Sequence, residues 1–366
     1  MKFTISRETL LKPLQMVNGV VEKRQTMPIL SNLLLSATPE SLTMIGTDLE
    51  VEMVTKTQMD SAEPGEATVP ARKFVDICRA LPDGAMVEVN VAGDKATIRS
   101  GKSRFTLSTL PVVEFPNVDE INNPFTFHIA QRYMKDLIDK TSFAMAQQDV
   151  RYYLNGMLLE MADNTLRAVA TDGHRLSMSE VGTEHNPDEL IQVIVPRKAV
   201  MELSRLLEDS DAMLEVQIGS NHIKFTINDV TFTSKLIDGK FPDYDRVFPK
   251  NSDKQVVANR TLLRQALTRT SILSNEKYRG IRLQLSPGVL HTMAHNPEQE
   301  EAEEELEVNY QGGELEIGFN ATYLLDALSV VDTEEVKIWL SDSNSSCLIH
   351  GLDDEQSKYV IMPMRL

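Results

Sequence analysis

The sequence has very little cysteine and no long apolar run. Cys78 and Cys347 are its two cysteines, and they stand far apart without the C-x-x-C spacing of a zinc or redox site. We therefore expect neither a disulfide scaffold nor a cysteine-rich zinc site, and a reducing compartment fits. No apolar stretch approaches the ~20 residues that span a bilayer, and residues 1–14 lack the continuous apolar core of a signal peptide. These features predict a cytoplasmic protein that does not associate with membranes.

Positive charge is also scarce, but its distribution is uneven. The chain has 37 Lys and Arg against 54 Asp and Glu, a net charge of −17, which argues against a polyanion partner if the surface is uniform. Apolar periodicity predicts six helices, at residues 6–17, 71–80, 131–141, 197–207, 260–270 and 321–330. Together these helices carry +8, so the rest of the chain carries −25. Solvated helix faces are one explanation, but a basic excess in five of the six favours a shared surface that contacts phosphates rather than base edges.

Several landmarks recur along the chain in one order and at one spacing. Thr47-Asp48, Thr171-Asp172 and His295-Asn296 each follow an apolar strand, at intervals of 124 residues. Pro70 and Pro196 open matching helices. A repeat of this length indicates a domain triplication rather than a solenoid. We predict an α+β fold of three similar domains, 1–123, 124–252 and 253–366, each with two helices and about eight short strands.

The segment after the strand-like LRAVAT resembles an active-site loop. Asp172 and His174 could act as a base and its orienting group beside Arg175, which would make the protein a hydrolase. However, the sequence contains no G-x-S-x-G elbow and no H-E-x-x-H helix. A polar pair at the same corner of every copy is also typical of a turn cap. We therefore predict no catalytic residue, and a bound partner where His174 and Arg175 are peculiar to the middle copy.

An acidic run extends from Glu298 to Glu307, with seven glutamates in ten positions. It lacks the Asp/Asn spacing and central glycine of a calcium loop. We interpret it as a solvated face or as a charge partner for the basic segment IRSGKSRFTLSTL. No metal ion and no other cofactor is expected. A protein-interaction scaffold that does not bind DNA is a further alternative for so acidic a chain.

Several longer strings identify a family. TDLEVEM, VPARKF, QDVRYYLNGM, ATDGHRL, SKLIDGKFPDY, ILSNEKYRG, HNPEQEEAEEEL and VIMPMRL resemble the bacterial DNA polymerase III beta subunit, the replicative sliding clamp, from Met1 to Leu366. The resemblance implies a processivity factor that is not an enzyme. It implies clamp-type domains, each with two helices packed on antiparallel sheets, and a head-to-tail homodimer that closes a six-domain ring around double-stranded DNA without reading its sequence.

The resemblance also implies three sets of residues. The set expected to face DNA is Arg24, Arg72, Arg79, Gln148, Tyr152, Tyr153, Arg197 and Lys198, although core packing is the alternative for the two tyrosines. The pocket expected to bind short linear motifs of clamp-loader and polymerase subunits is formed by Leu154, Thr171, Gly173, His174, Arg175, Leu176, Pro242, Arg246, Val247, Asn320, Tyr323, Ser346, Val360, Met362, Pro363 and Met364. The expected dimer interface joins Lys73, Lys102, Arg104, Phe105 and Leu107 of one chain to Ile272, Leu273, Glu298, Glu301 and Glu304 of the other.

Overall fold

The computed structural model describes residues 1–22, 27–117 and 121–365. Arg24, which the sequence places in the DNA-facing set, lies outside the described residues. The chain divides into two compact units. Unit 1 comprises Met1–Arg132 and Met201–Leu236, and unit 2 comprises Tyr133–Val200 and Ile237–Leu366.

The predicted helices are confirmed. They are α1 (Arg7–Val20), α2 (Ala71–Ala80), α3 (Gln131–Thr141), α4 (Arg197–Leu206), α5 (Arg260–Thr270) and α6 (Ala321–Val330). Residues with capping side chains begin several of them, because an oxygen at the N-cap satisfies a free backbone N–H. Ser6, for example, accepts a hydrogen bond from the Thr9 backbone N–H at 3.2 Å. None of the helices in the described ranges is long and apolar enough to cross a membrane.

Short antiparallel strands make up most of the remainder. The first predicted domain contains β1 (Lys2–Ser6), β2 (Asn32–Ala37), β3 (Ser41–Thr47), β4 (Val51–Gln58), β5 (Ala62–Glu63), β6 (Gly65–Pro70), β7 (Met86–Ala92), β8 (Lys95–Ser100) and β9 (Ser103–Ser108). The second contains β10 (Phe125–Ala130), β11 (Gly156–Ala162), β12 (Thr165–Thr171), β13 (Arg175–Gly182), β14 (Ile191–Pro196), β15 (Met213–Ile218), β16 (His222–Ile227) and β17 (Val230–Lys235). The third contains β18 (Lys254–Asn259), β19 (Gly280–Ser286), β20 (Val289–His295), β21 (Glu301–Glu307), β22 (Leu315–Asn320), β23 (Glu335–Leu340), β24 (Cys347–Gly351) and β25 (Ser357–Ile361).

Unit 1 contains two sheets. One has the order β5-β1-β7-β8-β9, and the other has the order β10-β15-β16-β17-β4-β3-β2-β6. The larger sheet therefore joins strands of the first and second predicted domains where β17 pairs with β4, with Phe232 opposite Met53. The apolar face of α1, with Leu10 and Leu14 fully buried, belongs to the core of this unit.

Unit 2 repeats this arrangement. Its sheets have the orders β14-β11-β12-β13-β25-β24-β23-β18 and β21-β20-β19-β22. The larger sheet joins strands of the second and third predicted domains where β25 pairs with β13, with Tyr359 opposite Ser177. Phe319, Leu328 and Tyr359 lie in the core cluster of the third repeat.

The strand orders confirm the triplication. The set β6-β2-β3-β4 recurs as β14-β11-β12-β13 and as β22-β19-β20-β21, and the set β1-β7-β8-β9 recurs as β10-β15-β16-β17 and as β18-β23-β24-β25. The last strands of successive sets pair with each other as β17 with β4 and β25 with β13. Their two remaining counterparts, β9 and β21, end their sheets in the described part of the chain.

Candidate partner-binding site and basic surfaces

The corner between β12 and β13 is a hydrogen-bonded turn. The Asp172 Oδ1 atom accepts hydrogen bonds from the backbone N–H groups of His174 at 2.9 Å and Arg175 at 3.0 Å. Thr171 Oγ1 donates to the Arg175 carbonyl oxygen at 2.6 Å. Gly173 has a φ of 87°, a left-handed conformation that glycine adopts without steric cost. Asp172 therefore holds the turn together.

The other two copies use the same device. In the first copy, Asp48 Oδ1 accepts from the N–H groups of Glu50 at 2.9 Å and Val51 at 2.8 Å. In the third copy, Asn296 Oδ1 accepts from the Glu300 N–H at 2.9 Å. A polar side chain that caps a turn in each repeat confirms the structural interpretation of this position.

Arg175 joins this turn to distant parts of unit 2. Its Nε donates to Asp172 Oδ2 at 3.2 Å, its Nη1 to Asp326 Oδ2 at 2.6 Å, and its Nη2 to the Phe143 carbonyl oxygen at 2.9 Å. The guanidinium carbon also lies 4.5 Å from the centre of the Tyr323 ring. Both carboxylate oxygens of Asp172 are thus engaged by the turn and by Arg175. This arrangement argues against Asp172 as a general base, as the hydrolase alternative required.

His174 and Tyr323 form an aromatic wall next to Arg175. Their rings are stacked, with centroids 6.4 Å apart and an interplanar angle of 22°. The Asn320 side chain caps α6 by accepting from the Thr322 N–H at 2.8 Å, which fixes the start of the helix that carries Tyr323. Burial raises the pKa of the Tyr323 hydroxyl. Since the His174 side chain is exposed, it offers one ring face to a ligand.

The remaining predicted pocket residues divide into a buried layer and an exposed rim. Leu154, Leu176 and Val360 are at most 2% exposed, and Leu176 and Val360 belong to one apolar cluster. Met362, which is 47% exposed, donates its N–H to the His174 carbonyl oxygen at 2.9 Å. Several others are exposed or half-buried: Pro242, Arg246, Val247, Ser346, Pro363 and Met364. All sixteen predicted pocket residues belong to unit 2.

The residues predicted to face DNA differ in exposure. In unit 1, Arg72 and Arg79 are exposed on α2, where Arg79 lies 3.8 Å from an Asp76 carboxylate oxygen. Lys73 is exposed on the same helix. Fourteen basic and six acidic residues lie on the six helices as the structure bounds them, so the predicted basic excess of the helices holds.

In unit 2, the two adjacent tyrosines have different environments. Tyr152 is 58% exposed, while Tyr153 is half-buried and packs against the cluster that contains Leu176. The rings contact each other edge to face, with centroids 5.8 Å apart. Core packing, the alternative to DNA contact, therefore describes Tyr153 and not Tyr152. Gln148 is exposed, and Arg197 and Lys198 are half-buried at the start of α4.

The edge strand β9 has two different faces. Arg104 and Thr106 are exposed, whereas Phe105 and Leu107 are half-buried. Lys102 is exposed in the turn before β9. The strand therefore presents basic and apolar side chains on opposite sides.

The edge strand β21 shows the complementary alternation. Glu301 and Glu303 are exposed, but Glu304 lies on the side of α5, where Arg269 forms an ion pair with it. This placement separates Glu304 from Glu301, with which the sequence had grouped it, because successive strand residues point to opposite faces. Ile272, next to α5, is 70% exposed, while Leu273 is half-buried. Glu303 is not among the predicted interface residues.

Among the described residues, no three His, Cys, Asp or Glu side chains converge as metal ligands would. Burial raises the pKa of both Cys78 and Cys347 to about 12, which leaves few thiolates to react at neutral pH.

Comparison with known proteins identifies the family. Models of the N-terminal, central and C-terminal domains of the DNA polymerase III beta subunit match residues 1–119, 128–243 and 245–365. Beta sliding clamps of Pseudomonas aeruginosa and Escherichia coli K12 are 59% and 53% identical, over 100% of both chains in each case. The chain belongs to the DNA polymerase III beta subunit family. The sliding-clamp role expected from the sequence is thereby confirmed.

Solved structures agree with this membership of the beta subunit family. The DNA polymerase III subunit beta of Pseudomonas aeruginosa is 58% identical, with a TM-score of 0.98 and 100% of both chains covered. Caulobacter crescentus pol III beta is 39% identical, with a TM-score of 0.94 and the same coverage. The α+β fold of three clamp domains is therefore confirmed, while the domain boundaries near residues 123 and 252 stay predictions.

We expect Arg175→Ala to reduce the free energy of unfolding by ~2–3 kcal/mol, because the substitution leaves the Asp172 and Asp326 carboxylates without their common partner. Arg246→Ala is the matched control. Arg246 is 83% exposed and, among the described residues, pairs with Asp243 three positions away, so its loss should cost less than ~0.5 kcal/mol. Thermal unfolding of both variants measures the difference. Equal losses would contradict a supporting role for Arg175.

Proposed function

We propose that two copies of this chain associate head to tail into a closed ring that encircles duplex DNA and tethers the replicative polymerase and other partners. In this proposal the protein is cytoplasmic and catalyses no reaction. The observation that carries it is the pair of free edges on β9 and β21. The counterparts of β9 are β17 and β25, and inside the chain they pair with β4 and β13, the counterparts of β21. Within the described residues of the chain, β9 and β21 lack this pairing. In the ring, β9 of one copy pairs with β21 of the other.

The internal junctions also define a register for this contact. The hairpin β8–β9 places Phe105 opposite Ile98, as β16–β17 places Phe232 opposite Phe225. Phe105 is therefore the counterpart of Phe232. Glu301 pairs with the last residue of β20, and Glu52 pairs with the last residue of β3. Ala302 and Met53 are the next residues along their strands, so Ala302 is the counterpart of Met53. Because Phe232 lies opposite Met53, we expect Phe105 to lie opposite Ala302 of the second copy.

This register pairs opposite charges across the interface. Arg104 falls opposite Glu303 and Thr106 opposite Glu301, on the face where Lys102 also lies. Phe105 then falls on the α5 side of β21, towards Ile272 and Leu273. The further members of the interface are Lys73, Leu107, Glu298 and Glu304. Apolar contacts of this kind should supply most of the stability, and the charges should select the partner and its direction.

We expect Arg104→Glu or Glu303→Arg alone to weaken the dimer about ten-fold or more, because each places like charges opposite each other at both interfaces of the ring. The double variant should recover most of this loss. Sedimentation equilibrium measures the dissociation constants, and Arg246→Glu, a reversal at an exposed site outside both edges, is the control. A double variant as weak as the single ones would rule out the proposed register, although not the ring itself.

The basic helices suit a ring that slides. Contacts with phosphates are independent of sequence and weaken with salt, so they hold DNA without stopping its movement. Arg72, Arg79, Arg197 and Lys198 belong to this helical surface, and Tyr152 adds an exposed ring. The acidic remainder of the chain would keep DNA away from other surfaces. Linkage by ring closure removes the need for high affinity.

We expect the triple variant Arg72→Glu, Arg197→Glu and Lys198→Glu to lose retention on nicked circular DNA, because the reversed charges repel the duplex. The control reverses three strand lysines, Lys56, Lys224 and Lys358, and changes the net charge equally. Gel filtration of protein–DNA mixtures measures retention before and after linearisation of the circle. Equal retention by the two variants would favour the scaffold that does not bind DNA, and unchanged retention after linearisation would exclude a topological link.

The corner pocket of unit 2 suits a short linear motif. Buried Leu176 and Val360 provide an apolar base, and exposed Met362 is a flexible wall that can adapt to different peptides. The stacked rings of His174 and Tyr323 add a flat surface. A Pseudomonas aeruginosa clamp 58% identical to this chain has been crystallised bound to griselimycin. We expect that molecule to occupy the corner pocket of this chain and to compete with clamp-loader and polymerase segments.

We expect His174→Ala to weaken griselimycin binding on the order of ten-fold, through the loss of one aromatic wall. Isothermal titration calorimetry measures the affinity, and His295→Ala, at the matching corner of the third copy, is the control. Unchanged affinity in the His174 variant would place griselimycin elsewhere. Hydrolysis of a substrate that is abolished by the same substitution would instead support the enzyme alternative.

A further inference from the structure

Unit 1 contains a cavity at the first copy of the repeated corner. The cavity has a volume of about 150 Å³, and its walls include Thr47, Leu49, Glu50, Glu52 and His222. Residues 47–52 are the counterparts of residues 171–176, which form part of the proposed peptide pocket of unit 2. The cavity therefore occupies an equivalent place in the repeat, and the functions described above do not use it.

The backbone of this corner is built as in the middle copy. Thr47 Oγ1 donates to the Val51 carbonyl oxygen at 2.8 Å, and the Leu49 N–H donates to Thr47 Oγ1 at 3.1 Å. Leu49 has a φ of 78°, close to the 87° of Gly173 at the equivalent position. A leucine is strained in this conformation where glycine is not. The Leu49 side chain is 39% exposed and lines the cavity.

The side chains of this corner, by contrast, differ in charge and polarity from those of the middle copy. Glu50 stands where the middle copy has His174, and Glu52 stands where it has Leu176. One corner therefore presents an exposed imidazole above an apolar base, and the other presents two carboxylates. A ligand suited to the first corner does not suit the second.

The Glu52 carboxyl group lines the cavity and is half-buried. Within the described ranges no hydrogen bond or ion pair to its side chain contributes to its titration, and burial alone raises its pKa to about 7. The other charged or titratable groups that line the cavity are Glu50, His222 and Lys235. Lys235 is exposed, so solvent screens its charge. Partial burial of a carboxylate without a cation is unfavourable, and a bound cation would relieve that cost.

We propose that this cavity binds the side chain of an arginine from an extended segment of another protein. Its volume accommodates one such side chain but not a nucleotide. Leu49 at the rim would contact the aliphatic stem, while Glu52 and Glu50 would accept hydrogen bonds from the guanidinium group. The site is separate from the proposed DNA surface, dimer edges and peptide pocket, so its test does not depend on them.

The test uses the full-length protein with labelled leucine and valine methyl groups. Acetyl-arginine amide should shift the resonances of Leu49 and Val51, and acetyl-citrulline amide, which has the same shape without the charge, should bind at least about ten-fold more weakly. Glu52→Gln should cause a similar loss, whereas Glu40→Gln, at an exposed turn, should not. Equal binding of the two amides, or binding unaffected by Glu52→Gln, would overturn the proposal. Tighter binding of putrescine than of the arginine probe would also overturn it, in favour of a free polyamine.

The pH dependence provides a second readout. Affinity for the arginine probe should rise as the pH increases from about 6 to about 8, because Glu52 becomes ionised over this range. Without ligand, the folded state binds a proton that the unfolded state has lost, so thermal stability should fall over the same rise. His222 also lines the cavity, and His222→Gln separates its contribution. A stability profile identical in the wild type and Glu52→Gln would exclude the buried carboxyl as the cause.

Discussion

Antiparallel pairing between strands of successive repeats is the interaction on which the structure depends. The β17–β4 and β25–β13 ladders each join two four-stranded sets into one eight-stranded sheet. Without these ladders, the four strands would be unpaired edges. Unpaired strand edges are unstable features that proteins cover or pair. Among the strands that end the sheets of the described residues, β9 and β21 are the two whose counterparts in the other repeats are paired, and they carry opposite charges. The proposed ring applies the same strand pairing between two copies of the chain.

The repeated corner shows how one backbone device supports different chemistry. A polar side chain at Asp48, Asp172 or Asn296 caps the turn and leaves the neighbouring side chains free to change. In the middle copy these neighbours are His174 and Arg175, which build an aromatic and basic wall. In the first copy Glu50 and Val51 stand at these positions. Since the backbone hydrogen bonds hold the turn, divergence of the side chains does not disturb the fold.

Arg175 illustrates why the site was only partly predictable. Its position in a divergent corner marked it as functional, but the sequence gives no reason to pair it with Asp326, which is 151 positions away, or with the Phe143 carbonyl oxygen. Those contacts make it a structural support in addition to its proposed role in the peptide pocket. Likewise, the tyrosines at 152 and 153 look equivalent in the sequence, yet one is exposed and the other packs on an apolar cluster.

The sequence by itself determined the six helices, the threefold repeat and the turn role of Asp172, because periodicity, caps and turn residues act over a few neighbouring positions. Its longer strings also identified the family. Only the tertiary structure decided which strands pair, which edges stay free, and that Glu303 rather than Glu304 shares the exposed face of β21 with Glu301. These features depend on contacts between distant segments and on side-chain direction, which local patterns do not encode.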